Sequence, residues 1–287
     1  MRPSISALIL NGKQLAADVL KTIPSQVQGQ KLFLAVVLVG NNPSSLIYVS
    51  NKMKTANRLG IETMLFHFEE DASLEDLLSE IETLNADPAV TGILVQLPLP
   101  QSINPRELLD MVDPLKDVDG LHPFNMGMLY EGDENSALIP CTPQGCIHLI
   151  ESSGVSIEGK KALVMGRSLI VGKPLSLMLS SRGATVTLAH SKTRDLQKEI
   201  ESAQILISAI GNPGLIKGDW IQEGAVVIDV GISKLDSGQL KGDVEFETAK
   251  ERAFAITPVP GGVGPMTVAY LMKNILKANK LQQMSER

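Results

Sequence analysis

Between residues 32 and 97 the hydrophobic pattern changes period again and again, and this alternation restricts the fold more than any other feature. Leu32 to Val39 reads LFLAVVLV and ends at Gly40-Asn41-Asn42-Pro43. A continuous apolar run closed by turn residues predicts a buried strand. Ser44 to Leu59 then carries Val49, Met53 and Ala56 at helical spacing, with Gly60 as a stop. Ile61 to Phe68 reads as a second strand. Ser73 stands as an N-cap before Leu74, Leu77, Leu78, Ile81 and Leu84, and Val90 to Leu97 gives a third strand closed by Pro98-Leu99-Pro100. The order β-α-β-α-β demands a parallel sheet with helices on its faces. Gly12 to Gln28, upstream, reads as a further helix.

A second series begins at Lys161. Strands are predicted at 161–165, 184–189, 204–210, 225–230 and 253–257, followed by the glycine-rich stretch PVPGGVGP and a helix over 267–283 with Val268, Leu271, Ile275 and Ala278 as its stripe. Thr142-Pro143 opens a helix running to about Ser153. Asn104 to Leu138 is rich in Asp, Gly and Pro and reads as an ordered functional loop region. The expected fold class is α/β, with two α/β domains around a cleft. One domain spans 1–139 and is completed by the C-terminal helix 267–287, and the other spans 140–266. A length of 287 residues suits two domains.

Composition removes several classes. With 26 Lys and Arg against 32 Asp and Glu, the net charge is -6, the wrong sign for a general phosphate-backbone binder. Aromatics at 3% exclude a surface of stacked bases, so no nucleic-acid partner is expected. Two cysteines make no disulfide framework and fit a reducing compartment. No apolar run approaches the roughly 18 residues of a membrane helix, and Ala7-Leu8-Ile9-Leu10 is too short for a signal-peptide core. A cytoplasmic protein with no membrane partner is the expectation.

Gly166-Arg167-Ser168-Leu169-Ile170-Val171-Gly172-Lys173-Pro174 lies between a predicted strand and a helix. Glycine lets backbone approach a phosphate, and the helix N-terminus offers free N–H groups. The G-x-G-x-x-G spacing is absent, so the pattern leaves a nucleotide site and an ordinary βα turn both open. The next strand ends in Ala189-His190-Ser191-Lys192-Thr193, without the acid that binds an NAD ribose. Should the site take a dinucleotide, basic and hydroxyl side chains with Arg167 favour NADP, although Lys192 and Arg194 equally suit a solvated surface.

Tyr48 and Lys52 stand four apart on a predicted helix, on a face different from the Val49/Met53/Ala56 stripe. A lysine serves as a base near neutrality where burial or a neighbouring cation destabilises its ammonium. Such pairs also arise on many helices by chance. Gln96 ends the third strand, at the edge where parallel sheets gather ligands. Asp117 and Asp119 suit either a site or a turn. Cys141 and Cys146, spaced C-x4-C near His148, lack a second ligand pair, and no metal site is expected.

The segments YVSNKMK (48–54), GILVQLPLP (92–100), KDVDGLHPFNMG (116–127), PCTPQG (140–145), GRSLIVGKP (166–174), HSKT (190–193), DVGI (229–232) and PVPGGVGPMT (258–267) resemble, in this order, the methylenetetrahydrofolate dehydrogenase/cyclohydrolase family across essentially the whole chain. Asn11 stands where relatives often have Asp. The resemblance implies oxidation of 5,10-methylenetetrahydrofolate by NADP+, then hydrolysis of the methenyl product to 10-formyltetrahydrofolate. It makes 140–266 a Rossmann-like NADP-binding domain and 1–139 the folate-binding catalytic domain. It also implies that Lys52 moves the proton in hydrolysis, Tyr48 stacks on the folate, Gln96 hydrogen-bonds Lys52, and Asp119 binds the pterin edge. Leu97, Pro98 and the loop Pro260, Gly261, Gly262, Val263 and Gly264 would complete the folate site. Gly166, Arg167 and Ser168 would take the phosphates, Ser191 would join Arg167 at the 2′-phosphate, and Ile232 would lie against the nicotinamide end. A homodimer is implied. The competing readings are a dehydrogenase-only relative, the same fold acting on another substrate, and a non-catalytic dinucleotide-binding sensor.

Overall fold

The computed structural model describes residues 6–235 and 237–285. Among them are the strands β1 (Leu8–Ile9), β2 (Phe33–Val39), β3 (Glu62–Phe68), β4 (Gly92–Val95), β5 (Lys161–Met165), β6 (Thr185–Ala189), β7 (Ile205–Ser208), β8 (Val226–Asp229), β9 (Ser233–Lys234), β10 (Leu240–Lys241) and β11 (Ala255–Ile256). By their contacts the residues fall into two units. One reaches to Asp18 and resumes from Pro140 to Ala269; the other runs from Val19 to Ile139 and resumes at Tyr270.

In the first unit six strands form a sheet in the order β1-β11-β8-β7-β5-β6, every pair parallel. β7 and β8 are buried along their whole length, which is why their sequences are continuous apolar runs rather than alternating ones. β5 has β6 on one side and β7 on the other. The chain therefore leaves β5 in one direction and returns to its other side, a topological switch point, and Gly166 follows at the C-terminal end of β5, the edge where such sheets take ligands. β1 joins through Leu8 N to Phe254 O (2.8 Å) and Leu10 N to Ile256 O (2.9 Å).

In the second unit β2 lies between β3 and β4, again in parallel. Helix Leu74–Ala86 buries Leu77, Ile81 and Leu84 and starts at Ser73, whose hydroxyl accepts from Asp76 N at 3.1 Å. Its C-terminal carbonyls are held by Lys116, whose Nζ donates to Leu84 O (3.1 Å), Asn85 O (2.7 Å) and Asp87 O (2.7 Å). A cation at the negative end of a helix satisfies carbonyls that the helix itself leaves unpaired.

Three expectations are corrected. The helix expected over Gly12 to Gln28 is two helices, Gly12–Lys21 and Pro24–Val27. Pro24 has no N–H to give to the turn before it, and Thr22 N and Ile23 N bond three residues back, to Val19 O and Leu20 O. The presumed loop 104–138 contains helices Pro105–Met111 and Pro123–Tyr130, capped by the side chains of Asn104 and His122. The last helix begins at Val263, not 267, so Val263 and Gly264 lie in its first turn rather than in a loop.

Candidate active site

Helix Pro43–Arg58 follows β2. Asn42 caps it by accepting from Ser44 N (3.0 Å) and Ser45 N (3.2 Å), and Pro43 occupies its first turn, where a missing N–H costs nothing. The face it buries carries Ser45, Val49, Lys52 and Ala56. Lys52 was expected off the apolar stripe; instead it lies on it, because positions 49, 52 and 56 follow the i, i+3, i+7 pattern of one face. Lys52 is 7% exposed, and Tyr48, one turn earlier, is 37% exposed.

Gln96 follows β4 directly. Its backbone N bonds Val37 O at 2.9 Å, so the ladder to β2 holds its position. Because the helix that leaves β2 carries Lys52, the pairing of β2 with β4 brings together two side chains 44 residues apart. Lys52 Nζ donates to Gln96 Oε1 at 3.0 Å, and Gln96 is 8% exposed. Gln96 Nε2 donates to Leu97 O at 2.5 Å. With a donor on one side and an acceptor on the other, the amide has one satisfied orientation. Lys52 has no carboxylate partner among the described residues. The amide oxygen is a neutral acceptor that fixes the direction of the lysine nitrogen. Ser45, two turns before Lys52 on the same face, has a buried hydroxyl without a partner among the described residues. Sequence reasoning passed over it, although its spacing of seven from Lys52 was there to read.

The two aspartates of the KDVDG segment separate clearly. Asp117 is buried and accepts from Gly120 N (3.1 Å), His122 N (2.8 Å) and Asn125 Nδ2 (2.9 Å). Burial pushes its pKa up. Asn274 fastens the same turn, donating to Val118 O and Ile139 O at 2.8 Å each. Asp119, half-buried, is held by none of these bonds. Asp117 therefore builds the turn, and Asp119 takes no part in these bonds.

In the first unit, the turn after β5 is closed by backbone contact. Gly166 has φ +108°, and a Cβ there would come within 2.4 Å of Ala209 O; a Cβ at Gly172 would come within 1.8 Å of Gly166 O. Ser168 Oγ accepts from Val171 N (3.1 Å) and Gly172 N (3.4 Å), and Ser168 O from Lys173 N (3.0 Å), so Ser168 ties the turn to the start of helix Gly172–Ser181. Arg167 and Ser168 are exposed. At the end of β6, His190 N bonds Thr193 Oγ1 (2.9 Å) and Lys192 N bonds His190 Nδ1 (3.1 Å), leaving Ser191 exposed at the tip of a turn without an acid. Ile232 is 45% exposed beyond β8. A glycine-closed switch point with an exposed cation and exposed hydroxyls, and no acid for a ribose 2′-hydroxyl, fits an NADP molecule.

Pro260, Gly261 and Gly262 pack on the start of helix Gly12–Lys21. Lys13 N bonds Gly261 O at 3.2 Å, and a Cβ at Gly12 would come within 1.7 Å of Gly262 O. Leu97–Pro98 and Val259–Pro260 are cis peptides. Cys141 and Cys146 are buried and joined by no disulfide, burial pushing the Cys146 pKa up. No group of His, Cys, Asp and Glu among the described residues could hold a metal.

A parallel sheet with a glycine-closed, cation-bearing switch point, and a second α/β unit holding a buried lysine–amide pair, define a dinucleotide-dependent enzyme. The chain belongs to the tetrahydrofolate dehydrogenase/cyclohydrolase family: residues 10–119 match its catalytic domain and residues 140–283 its NAD(P)-binding domain. It is 50% identical over 277 residues to the bifunctional protein FolD of Moorella thermoacetica, covering 95% of this chain and 98% of that one. Among solved structures, the bifunctional enzyme FolD, a methylenetetrahydrofolate dehydrogenase/cyclohydrolase from Campylobacter jejuni, superposes with a TM-score of 0.94 at 43% identity, over 96% of this chain and 100% of that one. The Trypanosoma brucei methylenetetrahydrofolate dehydrogenase-cyclohydrolase, complexed with NADP cofactor and inhibitor, gives a TM-score of 0.92 at 37% identity, over 98% and 99% of the two chains.

Proposed function

We propose that the protein oxidises 5,10-methylenetetrahydrofolate with NADP+ and hydrolyses the resulting methenyl cation to 10-formyltetrahydrofolate, and that its residues divide the work as follows. NADP+ supplies the hydride acceptor when bound. Gly166, Arg167 and Ser168 hold its phosphates, Ser191 and Arg167 its 2′-phosphate, and Ile232 meets the nicotinamide end. Hydride transfer asks the protein for proximity and orientation rather than acid–base chemistry. Tyr48 offers an exposed ring to stack on the folate, Asp119 accepts from the polar pterin edge, and Leu97 and Pro98 line the same part of the second unit.

Hydrolysis asks for more. Water that adds to the methenyl carbon loses a proton, and the departing ring nitrogen gains one. Lys52 Nζ moves that proton, and Gln96 holds Lys52 in place. The observation that carries this reading is the 3.0 Å bond from Lys52 to a neutral amide in a buried setting, with no carboxylate partner among the described residues. Pairing of two copies belongs to the same proposal, as does a cytoplasmic setting, which two unbridged thiols suit.

A two-channel assay tests the reading. Reduced cofactor is followed with 5,10-methylenetetrahydrofolate and NADP+ or NAD+. Loss of the methenyl chromophore is followed without cofactor. Activity in both channels, with NADP+ preferred, is expected. Reduction without hydrolysis would leave a dehydrogenase with an idle Lys52, and silence in both from folded protein would remove the folate assignment.

A further inference from the structure

Two buried carboxylates lie where β7 and β8 end, and neither has been given a role above. Asp229 closes β8, and Asp243 comes 14 residues later, beyond the short hairpin of β9 and β10. Asp243 is fully buried and gathers the turn after β7: its Oδ2 accepts from Ser208 Oγ (2.8 Å), Ile210 N (3.0 Å) and Gly211 N (3.3 Å), and its Oδ1 from Asn212 N (2.8 Å). Asp229 gathers the other side: Oδ1 accepts from Gly231 N (3.0 Å) and Asp243 N (3.1 Å), and Oδ2 from Val244 N (2.9 Å). Glycine is required around both. A Cβ at Gly231 would lie 2.2 Å from Asp243 Oδ1, and one at Gly242 would lie 2.1 Å from Asp229 Oδ2. Burying a carboxylate is costly unless donors surround it, so two side by side must be bought by something other than packing.

The contacts say what that is. The turn that Asp243 holds begins at Ala209, whose carbonyl is the atom against which Gly166 closes. The segment that Asp229 holds through Gly231 ends in the exposed Ile232. Asp229 N also donates to Thr257 Oγ1 at 2.8 Å, and Thr257 is what Gly262 packs on. The pair thus ties together the segments on which every cofactor contact proposed above, except that of Ser191, depends.

We propose that Asp229 and Asp243 are positioning residues for the cofactor, a joint carboxylate frame that sets the 209–212 turn, and through it the Gly166 turn, together with the 230–232 segment for binding NADP+. The proposal rests on the reading that Ile232 and the Gly166 turn face the cofactor. Neither aspartate touches the reacting atoms.

The test measures NADP+ binding by titration calorimetry, amide hydrogen exchange at 208–212 and 230–232, kcat and KM for NADP+ in the dehydrogenase reaction, and methenyl hydrolysis without cofactor. Asp243→Asn is expected to weaken NADP+ binding about tenfold, since it keeps the shape but removes the charge and sets an NH2 where an accepting oxygen stood. Exchange at 210–212 should rise, and hydrolysis should stay within about twofold of the parent, the scatter of a change outside its site. Ser208→Ala, a milder change that removes one of the four bonds, keeps the test open if Asp243→Asn does not fold, and should move binding and exchange in the same direction. Unchanged NADP+ binding in both folded variants, or an equal fall in hydrolysis, overturns the positioning role. Ile232→Ala separates the two layers: if it alters NADP+ binding while Asp243→Asn does not, the frame is wrong, and if neither it nor Arg167→Ala does, the cofactor reading beneath it is wrong.

Discussion

Lys52 Nζ and Gln96 Oε1 meet at 3.0 Å in the buried part of the second unit, and Gln96 can present that oxygen because its Nε2 is engaged by Leu97 O. An amine in that position has a fixed direction and a neutral partner. The bond sets where the nitrogen points, and no carboxylate among the described residues pairs with it.

Lys52→Met keeps the length and apolar stem of the side chain and removes the nitrogen. Hydrolysis of the methenyl compound is expected to fall at least about 100-fold, the scale of a lost proton-transfer group, while folate affinity stays within a few-fold. Gln96→Glu puts a carboxylate against Lys52 and commits it to the ammonium. Hydrolysis should fall about tenfold or more in this variant as well, with the fold intact. Stopped-flow decay of the methenyl chromophore reads both, and normal hydrolysis by Lys52→Met would remove Lys52 from the mechanism.

Arg167→Ala separates the two dinucleotides. A guanidinium serving a 2′-phosphate contributes to NADP+ and not to NAD+, and a charge-assisted bond at an exposed site corresponds to about tenfold in KM. The expected result is a rise of that size for NADP+ with NAD+ nearly unchanged. Equal weakening of both would assign Arg167 to the phosphates the two cofactors share.

The strands were legible because β2, β4, β7 and β8 are buried on both faces and so read as unbroken apolar runs. Helices Pro105–Met111 and Pro123–Tyr130 were hidden by a local composition rich in Asp, Gly and Pro, yet Asn104-Pro105 and His122-Pro123 are cap-and-proline pairs that mark helix starts. Lys52 and Gln96 could each be picked from position on an element, but their contact depends on which strand pairs with β2, and periodicity does not encode that. Asp229 and Asp243 were out of reach for another reason. Aspartate is nearly always exposed, and the donors that make burial tolerable come from backbone in the 209–212 and 242–244 turns, which no side-chain pattern announces.

Gly172 is fixed by space. A Cβ at this position would lie 1.8 Å from Gly166 O, so Gly172→Ala must push the two ends of the turn apart. Overpacking of this kind costs about 1–3 kcal/mol. The variant should melt earlier and lose NADP+ binding in calorimetry, while methenyl hydrolysis in the remaining folded protein persists. Retained NADP+ affinity would mean that the closed form of this turn is not the one that takes the phosphates.

Stability should also depend on pH through Asp229. Burial, followed by the neighbouring Asp243 charge, raises its pKa from 3.8 to about 7, against the pull of its three backbone donors. The native state then holds the proton more tightly than the unfolded chain, so the stability contributed by this site is complete below pH ~4 and is lost as pH rises through about 7. Asp229→Asn cannot ionise and lacks this dependence. The difference in melting temperature, parent minus variant, should fall from pH 5 to pH 7 and level off near pH 8. The constant cost of setting an amide against three N–H donors drops out of that slope. A difference that stays flat, or grows with pH, would show that Asp229 remains ionised across this range.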